Sequence, residues 1–207
     1  MDYELKQYSS LDEFSKEEYM QMSSYHWESN PPYRPDCFCK IGVVDNGIVA
    51  FLKCYESAPR AIYEKRDDPM YLDSCLELFV SCVEGRKEYV NVECNSNGAF
   101  LSEFGDGKYN RRLVASITSL SPEVRSFKGC DDNGAYWGVQ ITLSQAFVCD
   151  LYKLDNDFKL TDIKANFYKC GDDCEIQHYV AFSPVTTLPP GFHNPDCFAD
   201  FKRSIIK

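Results

Sequence analysis

Residues 71–95 read YLDSCLELFVSCVEGRKEYVNVECN and predict a β-hairpin, because apolar and polar residues alternate on both sides of a turn rich in Glu, Gly, Arg and Lys. One face of this hairpin is apolar and carries Leu76, Leu78, Val80, Cys82, Val90, Val92 and Cys94. An unbroken apolar row across two paired strands predicts that this face covers a buried core.

The opposite face of the hairpin is polar and aromatic. It carries Asp73, Glu77, Asn91, Glu93 and Asn95. A strand face with no ligand more often carries Thr, Lys and Ser, so this concentration of carboxylates and carboxamides beside aromatic rings predicts a polar ligand-binding surface. An alternative remains open, in which these groups only satisfy one another and Arg60, Arg111 or Arg112.

The remaining sequence predicts many more short strands. The chain has 207 residues, 44% of them hydrophobic, which is enough for a single domain over residues 1–207. Further strands are predicted at 37–44, 48–56, 99–104, 113–118, 124–128, 136–143, 159–169, 178–182 and 198–204, with a short helix at 144–151. Short strands separated by turn residues are typical of an all-β antiparallel β-sandwich.

The N-terminal residues 1–29 predict a helical extension packed on this domain. Ser10 and Glu13 fit a capping box, and the predicted helix runs from there to about Met22. Its apolar stripe consists of Leu11, Phe14, Tyr19 and Met20.

Charge and hydropathy exclude several classes of partner. The net charge of −10 and the pI near 4.8 argue against nucleic acid, which is itself a polyanion. No run approaches the roughly 18 apolar residues of a membrane-spanning helix. The start, MDYELKQYSS, has neither a basic nor an apolar segment typical of an export signal, so the sequence predicts a cytoplasmic protein without nucleic-acid or membrane partners.

The eleven cysteines predict reduced thiols, because their number is odd and the predicted compartment is reducing. Neither Cys37 with Cys39 nor Cys170 with Cys174 has the CxxC spacing of a zinc site, so no metal ligands are predicted. Of the two tryptophans, Trp137 alternates with core-type residues and predicts a core position. We expect Trp27 to pack within the protein and not to cover the ligand-binding surface.

Three blocks of sequence resemble the carbohydrate-binding family 9-like proteins. Residues 56–80 (ESAPRAIYEKRDDPMYLDSCLELFV) resemble their DSCxExF block, and residues 89–112 (YVNVECNSNGAFLSEFGDGKYNRR) their NxExNxxG block. Residues 165–198 (ANFYKCGDDCEIQHYVAFSPVTTLPPGFHNPDCF) are similar to their C-terminal pattern of NFYK, a His-Tyr pair and FHxPxxF. The resemblance covers roughly residues 30–205.

The resemblance implies a jelly-roll-like β-sandwich that holds the end of a sugar chain between two aromatic side chains, here Tyr71 and Phe192. It implies that Glu77 contacts the sugar and that neighbouring strands add further contacts. The complete set of expected ligand-binding residues is Tyr71, Glu77, Asn91, Glu93, Asn95, Phe192, Arg60, Arg112, Asn166, Tyr168, His178 and His193. Bound calcium is also a family property, and Asp45, Asp131, Asp132, Asp172 and Asp173 invite it, although turn chemistry accounts for each of them.

These observations favour non-catalytic binding of a mono- or oligosaccharide, with no cofactor. One alternative is a glycoside-processing enzyme, because Glu77 and Glu93 on paired strands would face one way and retaining glycosidases use two carboxyl groups about 5 Å apart. Another is a scaffold that has kept the fold without the ligand. In that case Arg60 or Arg112 would fill the cleft and pair with Glu77.

Overall fold

The computed structural model describes residues 2–28, 32–188 and 190–204. Its strands in chain order are β1 (Asp2–Leu5), β2 (Gln7–Tyr8), β3 (Met20–Met22), β4 (Cys37–Val44), β5 (Gly47–Cys54), β6 (Cys75–Ser81), β7 (Tyr89–Asn95), β8 (Phe100–Asp106), β9 (Asn110–Leu113), β10 (Glu123–Asp131), β11 (Gly134–Leu143), β12 (Ile163–Gly171), β13 (His178–Ala181) and β14 (Ala199–Arg203). Two α-helices, α1 (Leu11–Ser15) and α2 (Gln145–Tyr152), and 3-10 turns at Met70–Leu72, Val114–Ser116 and Pro195–Cys197 complete the regular structure of these residues.

The strands form two sheets. The larger has the order β1-β14-β12-β6-β7-β8-β9, with β13 also paired to β12, and the smaller has the order β10-β11-β5-β4-β2, with β3 also paired to β4. Most neighbours are antiparallel, as predicted, whereas β1 with β14 and β2 with β4 are parallel. The two parallel pairs both involve N-terminal strands, which join existing edges and do not continue a hairpin.

The predicted hairpin is β6 and β7 at the centre of the larger sheet. Its apolar face, including Leu78 and Val92, is fully buried together with Ile41 and Val139 of the smaller sheet. These side chains therefore form the core between the two layers. Trp137 lies in this core, as predicted, and its indole N–H donates to Glu56 at 3.0 Å.

The N-terminal region departs from its prediction. Ser10 caps α1 by accepting from the Glu13 N–H, but the helix ends at Ser15. Met20–Met22 is strand β3, antiparallel to β4, and Met22 is fully buried in the core. The unpaired edge of β4 thus overrides the helical pattern of the sequence, and residues 2–22 add three strands to the sandwich where a helical extension was expected.

Other differences are local. The strand predicted at 113–118 is wrong beyond its first residue, because β9 ends at Leu113 and the chain continues as the 3-10 turn Val114–Ser116. The helix predicted at 144–151 is α2, capped by the Ser144 hydroxyl, which accepts from the Phe147 N–H at 3.1 Å. Within the described residues, neither helix has the length and apolar character needed to cross a bilayer.

Candidate functional site

A cleft of about 400 Å³ opens on the outer face of the larger sheet, the face turned away from the smaller sheet. Its floor comes from the strands β6, β7 and β12 and consists of Glu77, Phe79, Glu93 and Cys170. Its walls consist of Tyr179 from β13 and, from the connecting segments, Trp27, Tyr71, Lys108, Asp172, Pro190, Gly191, Phe192 and His193. Strand alternation thus supplies the floor, and loops supply most of the walls.

Glu77 and Glu93 lie directly opposite each other on β6 and β7, at the bottom of the cleft. Glu77 is 1% exposed and Glu93 is 4% exposed. The Cys170 thiol donates to Glu77 Oε1 at 2.9 Å, and the Asn91 amide donates to Glu93 Oε1 at 2.8 Å. Oε2 of each carboxyl group has no hydrogen-bond partner. Buried polar atoms are rarely left in this condition, so the two oxygens are available to a ligand.

Burial also controls the charge of these two groups. It raises the pKa of the Glu77 carboxyl well above its ordinary value, and repulsion from Cys170 and Glu93 acts in the same direction. Burial raises the pKa of Glu93 to about 7, although the hydrogen bond from Asn91 opposes this shift. The floor therefore holds carboxyl groups that can donate as well as accept hydrogen bonds near neutral pH.

Arg111 of β9 supports the floor from one side. Its guanidinium donates to Asn91 Oδ1 and to the Glu103 carbonyl at 3.0 Å, and it lies 4.1 Å from the centroid of the Tyr89 ring. Asn91 in turn donates to Glu93, so the position of this carboxyl group depends on Arg111 through one intermediate side chain. Asn91 itself belongs to this support and does not line the cleft.

Phe192 forms the aromatic wall. Its ring stacks on Tyr168 of β12 with centroids 4.0 Å apart and planes inclined by 9°. The Tyr168 hydroxyl also donates to the Phe192 carbonyl at 3.2 Å. Trp27 joins the same wall, with its ring centroid 5.6 Å from that of Phe192. Tyr71 also lines the cleft and is 42% exposed, which places it at the mouth.

The segment 182–198 between β13 and β14, which carries Phe192, is tied to the sheet by Asn166. This fully buried amide donates to the carbonyl oxygens of Ser183 at 2.9 Å and Cys197 at 3.3 Å. Its oxygen accepts from the N–H groups of Phe167 and Ser183. Because all its hydrogen-bonding capacity is used, Asn166 has a structural role and holds this segment on the sheet. Tyr168 supports the wall by stacking on Phe192.

His193 lies at the inner end of the cleft. Its Nδ1 is 2.9 Å from the Tyr89 hydroxyl, and its ring centroid is 4.8 Å from that of Phe79. Burial lowers the pKa of His193 to about 3, and repulsion from Arg111 and Lys108 adds to this. The imidazole is therefore neutral at physiological pH.

Asn95 and Arg60 belong to a separate internal network, although the sequence predicted both as ligand-binding. Asp73 accepts from the Arg60 guanidinium, from the N–H groups of Ile62 and Tyr63, and from the Asn95 amide at 2.9 Å. The alternative considered for the whole polar face, that its members satisfy one another, therefore describes this end of the hairpin. The loop at residues 60–63 crosses Asp73 here and supplies donors to both of its carboxylate oxygens.

Arg112 and His178 also lie away from the cleft. Arg112 pairs with Phe104 and shares its face of the sheet, opposite to the face of Arg111, because neighbouring residues of a strand alternate. His178 lines a smaller pocket, where its Nδ1 is 2.8 Å from the Ile176 carbonyl and its Nε2 contacts Lys169. Burial lowers the pKa of His178 to about 4, and Lys169 adds to this by repulsion.

Several cleft residues were absent from the set expected from the sequence. They are Trp27, Phe79, Lys108, Cys170, Asp172, Tyr179, Pro190 and Gly191. Alternation alone placed Phe79 on the outer face and would also have placed Cys170 there, two positions after Tyr168. No local signal marks Trp27 or Lys108, because loops more than 60 residues apart bring them to the cleft.

Two of the acidic residues that invite a calcium site have partners within the protein. Asp131 accepts from the Tyr55 hydroxyl at 2.6 Å and from the Asn133 N–H at 2.9 Å, which is turn chemistry. Asp173 pairs with Arg60 at 3.8 Å. Among the described residues, the side chains grouped closely enough to hold an ion are Cys75, Glu77 and Cys170. Calcium takes six to eight oxygen ligands, and two of these three groups are thiols.

Solved structures of other proteins have a similar fold. A candidate carbohydrate-binding protein from Bacteroides uniformis is 22% identical in sequence, with a TM-score of 0.78 over 98% of this chain and 99% of that one. A family 9 carbohydrate-binding module from Caldicellulosiruptor kristjanssonii, solved with cellotriose, is 12% identical, with a TM-score of 0.59 over 98% of this chain and 93% of that one. The module from the same organism solved with glucose is also 12% identical, with a TM-score of 0.55 over 99% and 96% of the two chains. These similarities establish the β-sandwich fold.

No curated protein sequence matches this chain. The family model described as carbohydrate-binding family 9 matches residues 6–202, which is nearly the whole sequence. The outer-face cleft, the two-sheet fold and this match lead to the same conclusion: the chain belongs to carbohydrate-binding family 9.

Proposed function

We propose that this protein binds a neutral mono- or oligosaccharide, such as the end of a sugar chain, in the outer-face cleft and does not cleave it. The observation that carries this proposal is the pair of buried, unpartnered Oε2 atoms of Glu77 and Glu93 beneath aromatic walls. Sugar hydroxyls need hydrogen-bond partners of this kind, and the apolar faces of sugar rings pack on aromatic side chains.

The shape of the cleft supports a small ligand. A volume of about 400 Å³ lies in the ordinary range of small-molecule sites. Phe192 and Trp27 offer one apolar wall, and Tyr71 at the mouth offers a second ring. A ligand that enters past Tyr71 would meet Glu77 and Glu93 last.

The relatives of known structure support a saccharide as the ligand class. Two family 9 modules of the same fold were solved with cellotriose and with glucose. Both ligands are uncharged. An anionic sugar is disfavoured here, because Glu77, Glu93 and Asp172 surround the floor and Lys108 is the cation among the lining residues.

The charge state of the floor favours binding over hydrolysis. A retaining glycosidase needs one ionised carboxylate as its nucleophile beside one protonated acid. Here burial raises the pKa of both Glu77 and Glu93, so the surroundings disfavour the ionised form of each group. A scaffold without a ligand is also disfavoured, because Arg60 pairs with Asp73 and Arg112 faces the other way.

Calorimetric titration with glucose, cellobiose and cellotriose tests the proposal. We expect Glu93→Gln and Phe192→Ala each to weaken binding by about tenfold or more, since a hydrogen bond to a charged group contributes about 1.5–3 kcal/mol and a buried aromatic ring a similar amount. The matched control is Arg112→Ala, which should bind like the wild type.

Affinity unchanged in both cleft variants would place the site elsewhere. Reducing sugar released by the wild type and lost in Glu77→Gln would favour the enzyme instead. If neither neutral nor charged saccharides bind, the proposed function is wrong.

A further inference from the structure

We propose that Cys75, Glu77 and Cys170 form a binding site for a zinc ion beneath the floor of the cleft. Their two sulfur atoms and one carboxylate oxygen lie within 4.8 Å of one another. All three residues are at most 2% exposed. The site shares Glu77 with the proposed saccharide site, and it is tested without sugar so that the two proposals can be distinguished.

The strand register brings the three ligands together. Cys170 of β12 lies directly opposite Cys75 of β6, and Glu77 follows Cys75 by two positions on the same face. Glu77 and Cys170 are 93 positions apart in the sequence. For this reason the spacing of cysteines along the chain predicted no metal ligands, although the fold assembles a set.

The group has unused ligand capacity. Glu77 Oε2 has no hydrogen-bond partner, and Oε1 contacts the Cys170 thiol at 2.9 Å. Among the described residues, neither Glu77 nor Glu93 forms an ion pair, whereas the buried Asp73 is paired with Arg60. A bound divalent cation would provide the positive charge that the floor lacks.

The chemical types of the three ligands favour zinc over calcium and magnesium. Two thiolates and a carboxylate suit zinc, whereas calcium and magnesium prefer oxygen ligands alone. Zinc bonds of about 2.3 Å to sulfur place two sulfur ligands of a tetrahedron about 3.8 Å apart. The observed upper limit of 4.8 Å therefore requires side-chain movements of about 1 Å.

The cleft provides access and an open coordination position. Glu77 and Cys170 both line the cleft, so an ion can reach them from solvent through it. A fourth ligand, water in the simplest case, would approach from this side. Binding converts both thiols to thiolates and the Glu77 carboxyl group to its carboxylate, and it releases the two thiol protons and the carboxyl proton to solvent.

A second cysteine pair in the same molecule provides a matched control. Cys37 and Cys54 are likewise directly opposite on paired strands and fully buried. They differ in their surroundings, because the charge of Lys169 acts more strongly on Cys54 and Cys37 than on Cys170. A cation in this position opposes metal binding, so the pair should not bind zinc although its cysteines are arranged in the same way.

The experiment uses the full-length reduced protein, free of metal, and titrates it with Co²⁺ as a spectroscopic probe and then with Zn²⁺. We expect one cobalt ion per chain, a thiolate-to-cobalt charge-transfer band, and loss of the band as zinc displaces cobalt. Cys75→Ser and Cys170→Ser should abolish the band. Glu77→Gln, which preserves volume, should weaken zinc binding by at least about tenfold, since even outer partners of metal ligands contribute that much.

The control Cys37→Ser/Cys54→Ser should retain the band and the one-to-one stoichiometry. Absence of the band in the wild type would overturn the proposal. The same conclusion would follow if the band persisted in Cys75→Ser/Cys170→Ser or if Glu77→Gln bound zinc as tightly as the wild type. Because Glu77→Gln removes no side-chain atoms from the packing, the proposal stays falsifiable even if the cysteine variants fold poorly.

Discussion

Asp73 and Glu77 are two acidic residues of one hairpin, four positions apart and buried to the same degree, yet their surroundings differ completely. Asp73 accepts hydrogen bonds from Arg60, Asn95 and two backbone N–H groups. Glu77 has one polar contact, the Cys170 thiol, and one oxygen without a partner.

The difference arises from the loop that crosses each residue. Backbone at positions 60–63 folds over Asp73 and satisfies it, so this carboxylate fixes the path of the loop. Over Glu77 the cleft remains, and the carboxyl group keeps its capacity to bind. The same carboxyl chemistry thus serves structure at one end of the hairpin and, in the proposed function, ligand binding at the other.

The largest expected effect is a loss of stability when Asp73, whose hydrogen bonds are all formed, is replaced. Asp73→Ala leaves Arg60 and the backbone N–H groups of Ile62 and Tyr63 without their acceptor, and we expect it to cost about 4–5 kcal/mol of unfolding free energy, as for other broken buried pairs. Urea denaturation measures this. The exposed control Glu123→Ala should stay within about 0.5 kcal/mol of the wild type. A loss for Asp73→Ala no larger than that of the control would contradict the structural role of Asp73.

A second comparison separates two adjacent arginines. Arg111 is 3% exposed in its side chain and bonds to Asn91 and several carbonyl oxygens, so Arg111→Ala should cost about 3–4 kcal/mol in urea unfolding. Arg112 is exposed on the other face, and Arg112→Ala should cost less than about 0.5 kcal/mol. Equal losses for the two variants would mean that β9 is not oriented as described.

The pH dependence of stability tests the end of the hairpin where Glu77 and Glu93 each have an oxygen without a hydrogen-bond partner. Because the pKa of Glu93 rises from 4.5 to about 7 on folding, the folded state binds its proton more tightly than the unfolded state does. Protonated Glu93 therefore contributes to the free energy of unfolding below pH 4.5. This contribution falls by roughly 2–3 kcal/mol as pH rises toward 7. Urea unfolding from pH 4.5 to 7.5 should show a smaller decline for Glu93→Gln than for the wild type. Parallel curves would disprove the shift.

The last variant, Glu77→Gln, is expected to cost no stability. Glutamine resembles the protonated carboxyl group and cannot ionise, so stability at pH 8 should exceed that of the wild type, and the gain should be smaller at pH 6. Thermal unfolding at pH 6 and pH 8 measures this. A loss as large as that of Asp73→Ala would show that Glu77 is also structural.

The sequence predicted the sandwich and the faces of its central hairpin, because alternation and turn residues act locally. Strand β4 has its predicted bounds, and Leu78 and Val92 lie in the core as predicted. The placement of Glu77, Glu93, Tyr71 and Phe192 around one cleft also follows from the three sequence blocks.

Contacts between distant segments could not be predicted in this way. A one-residue difference separates Arg111, beside the floor, from Arg112 on the other face, and the sequence offers no means to choose between them. Asn95 has the same pattern as Glu93, and only the loop at 60–63 makes it structural. The helical pattern after Ser15 was likewise overridden by a free strand edge.

Strand β12 changes partner partway along its length, pairing with β14 over residues 163–165 and with β13 over residues 168–171. The connection that carries Phe192 leaves the sheet at this exchange and is fastened there by Asn166. Lengthening or shortening it would resize the opening while every strand kept its register. In the proposed function, the width of the opening and the carboxyl groups that contact the ligand thus depend on separate parts of the chain, and each can be altered alone.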